Sequence, residues 1–192
     1  VLKNGFAWRT VYFLRRIINH TKKRFSIMQA FSRIGWFVGL VLLQVLVLNH
    51  IHVGEDATPF LYIYFLLVLN ADTSRLKVIL WGFSLGLAVD IFSNTPGLNA
   101  SAATFLAFVR NPLLRSQTGR DVAEDFRPSI RTLGMAPFSR YVLMTVFLYV
   151  LFLQLADAFS FSRWMPLFWK VVTNTAATLV GIYGIEMIRR KR

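Results

Sequence analysis

The stretch LWGFSLGLAVDIFSNTPGLNA, residues 80–100, decides the fold. It opens as an apolar helix and carries Gly82, Gly86 and Asp90 at four-residue intervals, which places all three on one helix face. Gly82 and Gly86 form a GxxxG pair, a surface that lets a second helix approach closely in lipid. An acid at the end of that face is costly in or near hydrocarbon and requires donors. The polar turn that follows offers Ser93, Asn94, Thr95 and Asn99. Pro96 and Gly97 break the helix, and Gly97-Leu98-Asn99-Ala100 opens the next one.

Composition agrees with a lipid setting. Of 192 residues, 55% are hydrophobic and 16% charged, with a mean hydropathy of +0.51. A soluble domain carries about a quarter charged residues. The apolar excess comes in blocks, so the chain reads as an all-α polytopic membrane protein. With no cysteine, disulfide frameworks and cysteine-based metal sites are excluded. The net charge of +13 is spread over segments that flank apolar blocks on alternating sides, a distribution that argues against nucleic acid.

Residues 1–33 form a basic, aromatic-rich segment. Trp8, Val11, Tyr12, Phe13, Ile17 and Ile18 suit one apolar side of an amphipathic helix lying at a headgroup surface, on the cytoplasmic side. No signal peptide is expected there. The chain opens on valine, and Met28 sits just before the first strong apolar block, so residues 1–27 are read either as native or as preceding the true start. Residues 34–192 then read as a six-helix membrane domain, with blocks at 34–48, 59–69, 76–92, 98–114, 138–156 and 165–188. Several are shorter than the ~20 residues that cross a bilayer, and the second is the weakest. Loop charges set the topology. Lys and Arg collect before block one, between two and three, between four and five (six arginines from Arg110 to Arg140) and after block six. The intervening loops carry none, or Arg163 alone. The expectation is about six transmembrane helices with both termini cytoplasmic.

These stretches resemble the rod shape-determining MreD family, in a form like that of Bacteroidetes. The resemblance rests on LLQVLVLNHIHV (42–53), TPFLYIYFLLVL (58–69), GFSLGLAVDIFSNTPGLNASAATFLAFVRNPLL (82–114) and the basic C-terminal tail. It implies a fold similar to the substrate-binding subunits of ECF-type vitamin transporters. It also implies a multi-pass protein of the bacterial inner membrane that is not an enzyme and takes no cofactor. The implied partner is MreC, and indirectly MreB, a SEDS glycosyltransferase and a class B transpeptidase, in lateral peptidoglycan synthesis. Membrane lipids are expected contacts, nucleic acid is not, and a homodimer is left open.

The individual residues carry competing readings. Ser84 completes a GxSxG pattern, but a nucleophile elbow needs a strand-turn-helix context and a histidine. Packing explains it better. His50, His52, Glu55 and Asp56 are ligand types for zinc without a fixed geometry, so no metal is expected. Asp90 is read as a hydrogen-bond hub with Asn94, Thr95 and Asn99, or as an ion pair with Lys170. Gln44 is expected to bond a neighbouring helix. Thr173, Ala177 and Gly181 form a second small-residue face, taken as the partner of Gly82 and Gly86, with a partner protein's span as the alternative. Glu186 reads as a surface ion pair with Arg189 and Arg190. The rival to a scaffold is a small-solute-binding subunit of an ECF-type transporter, whose pocket would draw on Gln44, Asp90, Asn99, Asn174 and Thr178.

Overall fold

A computed structural model describes residues 34–48, 58–118, 126–157 and 164–191. The chain divides into two compact units, Val1–Val38 and Gly39–Arg192. Only the opening residues of the first helix, 34–38, are described in the first unit. The described residues are helical or in turns, with no strand. Helix α1 is Ile34–Leu48, and its last five residues, Gln44–Leu48, are π-helical. Element α2 is a 3-10 turn, Leu61–Ile63, that runs into a single α turn, Tyr64–Leu67. Then follow α3 (Arg75–Ser93), α4 (Leu98–Gln117), α5 (Ile130–Leu133), α6 (Met135–Asp157) and α7 (Trp164–Lys191).

Among the described residues, three helices are long and apolar enough to cross a membrane: Arg75–Ser93, Met135–Asp157 and Met165–Arg189. Helix α4 has 20 residues, which at 1.5 Å per residue gives about 30 Å. Its Asn99, Arg110 and Asn111 lower its apolarity. The second block differs from its expected form. A helix over 59–69 is replaced by seven helical residues, 61–67, all of them buried.

Helix α3 packs on α4, α4 on α6, and α6 on α7, while α2 touches α3 and its 3-10 turn touches α7. The α3–α4 hairpin is antiparallel because its turn is only four residues long. Asn94 there adopts the left-handed conformation at the C-terminal end of α3. Inside lie Tyr62, Leu66, Leu85, Ala103, Tyr141 and Tyr149, all under 1% exposed. Outside, α3 shows Leu76, Leu80, Phe83, Leu87 and Ile91 at helical spacing. An apolar outer face over an interior rich in small and polar residues is the arrangement of helices solvated by lipid.

Candidate functional site

Asp90 sits on the last turn of α3, 4% exposed, with the open N-terminus of α4 beside it. Gly97, the N-cap position of α4, has φ +82°, which glycine adopts freely, and has no side chain with which to cap. The Asp90 carboxylate supplies the cap. Its Oδ1 accepts from the Asn99 backbone N–H at 2.9 Å, and its Oδ2 from the Ala100 N–H at 2.8 Å. These are the second and third residues of α4, whose amides have no partner inside the helix. The negative charge also suits the positive end of the α4 dipole. Thr95 Oγ1 donates to Oδ1 at 2.8 Å and Asn99 Nδ2 at 3.0 Å. The hub reading therefore holds for Thr95 and Asn99. Asn94 serves instead through its left-handed backbone. Lys170 lies half-buried on α7, one turn ahead of Asn174.

The hub extends across the bundle. Asn99 Oδ1 accepts from the Tyr62 hydroxyl at 3.0 Å, and Tyr62 in turn shares a hydrogen bond with Tyr149. Asp90, Asn99, Tyr62 and Tyr149 thus join α3, α4, α2 and α6 through buried polar groups. Sequence reasoning passed over both tyrosines. A tyrosine inside an apolar block carries a hydroxyl that must find a partner, and that signal was available.

Gly82 and Gly86 face α4, not α7. A Cβ on Gly82 would lie 2.7 Å from the Ala103 carbonyl oxygen and 2.8 Å from Ala107 Cβ. A Cβ on Gly86 would overlap the Asn99 carbonyl and the Ala100 Cα. The expected pairing with Thr173, Ala177 and Gly181 is corrected, because the short turn folds α4 directly back on α3. On α7, Thr173 and Ala177 are half-buried, and the Thr173 hydroxyl bonds its own helix at Trp169 O, 2.8 Å. Gly181 receives the Leu61 side chain.

Segment 58–70 threads the interior, and its backbone is held by side chains. Asn174 Oδ1 accepts from the Thr58 N–H at 2.6 Å. Thr178 Oγ1 accepts from the Phe60 N–H at 3.0 Å. The Gln44 amide takes the Leu61 N–H at 3.0 Å and donates to the Pro59 carbonyl at 3.1 Å. Tyr141 donates to Leu67 O at 3.3 Å, and Arg110 to Leu69 O. Buried irregular backbone needs hydrogen-bond partners from the protein, and these contacts supply them. Arg110, read as the first arginine of a loop, is instead fully buried in α4, and its Nε has no acceptor.

Glu186 is likewise corrected from a surface ion pair to a buried tie, 3% exposed. It accepts from Tyr64 at 2.6 Å and from the Ile130 N–H at 3.2 Å, and lies 3.6 Å from Arg189. The loop between α4 and α6 is therefore partly built into the fold. Ser129 and Thr132 form a reciprocal capping box on α5, and Ala71 N–H bonds Phe126 O at 2.9 Å.

Ser84 is exposed in the middle of α3, on a different face from Gly82 and Gly86. His20, His50, His52, Glu55 and Asp56 lie outside the described residues. Among the described residues, no cluster of three or more His, Cys, Asp or Glu is placed to hold a metal. Compared with protein-family models, curated proteins and solved structures, the chain matches none.

Proposed function

We propose that this chain is a non-catalytic membrane scaffold of the machinery that elongates rod-shaped bacteria. It crosses the inner membrane six times with both termini in the cytoplasm. It binds the single-span protein MreC and acts through it on MreB, a SEDS glycosyltransferase and a class B transpeptidase. The observation that carries this reading is the use made of the interior polar groups. Gln44, Asp90, Asn99, Asn174 and Thr178 each hold backbone or one another. Their chemistry is spent on shape, which suits a scaffold.

Six crossings are supported by segment 58–70. Its start lies at Asn174 and Gln44, and its end, Asn70, accepts from Arg127 Nε at 3.0 Å. It thus returns the chain between α1 and α3. The loop charges set the orientation. The test is copurification of MreC with the full chain from native membranes after crosslinking, together with rod-shape complementation. Recovery of MreC, and retention of rod shape by Ser84→Ala, are expected. Absence of MreC at normal protein level, or loss of shape in Ser84→Ala at normal level, would overturn the scaffold reading.

A further inference from the structure

A cleft of about 360 Å³ opens where the ends of α1, α3 and α6 meet the start of α4. Small-molecule sites occupy roughly 300–1,000 Å³, so the space suits a compact guest. Its walls include Phe60, Val89, Leu98 and Leu153. Gln154, on the last turns of α6, also lines it and is only 8% exposed. Among the described residues, none hydrogen-bonds its side chain. A buried amide without partners is costly, and native proteins keep such groups satisfied. Here the side chain lines the cleft. Every other buried polar side chain near it is tied internally: Gln44 to the backbone at Pro59 and Leu61, and Asn99 to Asp90 and Tyr62.

The charge at the cleft has one sign. Asp157 borders it and also the adjoining hollow beside Pro96 and Ser101, while among the described residues no Lys, Arg or His lines either space. The Asp90 carboxylate lies behind Thr95 and Asn99, which face the cleft and donate to it. Two carboxylates favour a positive guest, and the surrounding low dielectric strengthens that preference.

We propose that this cleft binds a small organic cation. Its ammonium or guanidinium group sits against Asp157. A hydroxyl or carbonyl on the same molecule bonds the Gln154 amide, and its carbon body lies on Phe60, Val89, Leu98 and Leu153. Phosphates and anionic headgroups are rejected by the same charges. This site is independent of the scaffold reading and uses none of the residues proposed as nucleophile or metal ligand.

The test uses the full chain in micelles of dodecyl maltoside, whose headgroup carries neither charge nor ammonium. Thermal unfolding is followed with choline, agmatine, glycerol and glycerol 3-phosphate, each raised to about 20 mM, well above a millimolar Kd. A saturable rise in Tm with choline or agmatine, and none with glycerol 3-phosphate, is expected. Gln154→Leu removes the unpartnered amide, so its Tm without ligand should not fall, yet its apparent Kd should weaken about tenfold or more. Gln154→Met, of similar volume, serves the same purpose if the leucine variant does not fold. Asp157→Asn should lose the preference for cations over glycerol. No shift with either cation, an equal shift in both Gln154 variants, or binding of glycerol 3-phosphate would overturn the proposal.

Discussion

At Asp90 one side chain closes a helix that begins eight residues later. Both carboxylate oxygens accept backbone amides of α4, one each, so charge and geometry are used together. Asparagine offers a single acceptor oxygen. Its amide nitrogen would meet either the Asn99 or the Ala100 N–H and leave it unpaired. Asp90→Asn is therefore expected to cost about 1–3 kcal/mol, the range for a buried group left unsatisfied. Thermal unfolding in detergent reads that loss; wild-type Tm in Asp90→Asn would mean that the caps are dispensable. Gly86 is governed by space rather than charge. The single-methyl change Gly86→Ala drives Cβ into α4 backbone that cannot swing aside. Overpacking of this kind costs about 1–3 kcal/mol, and more where backbone must shift. Gly181→Ala meets only the end of the Leu61 side chain, which has other rotamers. The Tm of Gly86→Ala should fall well below that of Gly181→Ala, and the reverse order would refute the packing account.

At the scale of elements, α2 is the part that a helical reading misjudged. Its residues are apolar on every side, yet the start of any helix leaves its first N–H groups without partners. The chain breaks near Pro59, and Gln44, Asn174 and Thr178 supply partners for the backbone of residues 58 to 61. Pro59 cannot donate, so only its carbonyl needs a partner, and Gln44 supplies it. Gln44→Leu keeps the volume and removes both bonds, leaving Pro59 O and the Leu61 N–H buried and bare. A loss of about 2–4 kcal/mol is expected from two such groups, read as a drop in Tm and in protein level. A neutral result would show that α2 finds other partners. The aromatic contacts of Tyr149 with Phe60 and Tyr62, centroids 5.7 and 6.1 Å apart at steep angles, fix the segment against α6.

At the scale of the whole molecule, the polarity pattern is inverted relative to a soluble bundle. Leucine, phenylalanine and isoleucine cover the outside of α3, and tyrosine, asparagine, arginine and glutamate lie within. The α3–α4 hairpin places Ser101 and Ser116, both exposed, near opposite ends of α4. Because the chain has no cysteine, Ser101→Cys and Ser116→Cys each create one thiol. A membrane-impermeant maleimide added to intact spheroplasts should label Cys at 101 and leave 116 unlabelled until the membrane is opened. Labelling of 116 from outside would overturn the proposed orientation, which rests on the arginine-rich loop.

The sequence by itself determined the helical class, the apolar blocks, a turn near 93–97 and Asp90 as a group in need of donors from that turn. These follow from local periodicity, turn chemistry and a spacing of nine or ten residues between partners. Gly82 and Gly86 were also legible as a small-residue face, though their pairing was assigned to the wrong helix. Only the tertiary structure decided which face meets which. It alone placed Asn174 and Thr178 against the backbone of residues 58 and 60, buried Arg110 and Glu186, and left Gln154 facing a cleft. Those contacts join residues 41 to 122 positions apart. A polar side chain in an apolar block announces that it needs a partner; which partner it finds depends on packing that no local pattern encodes.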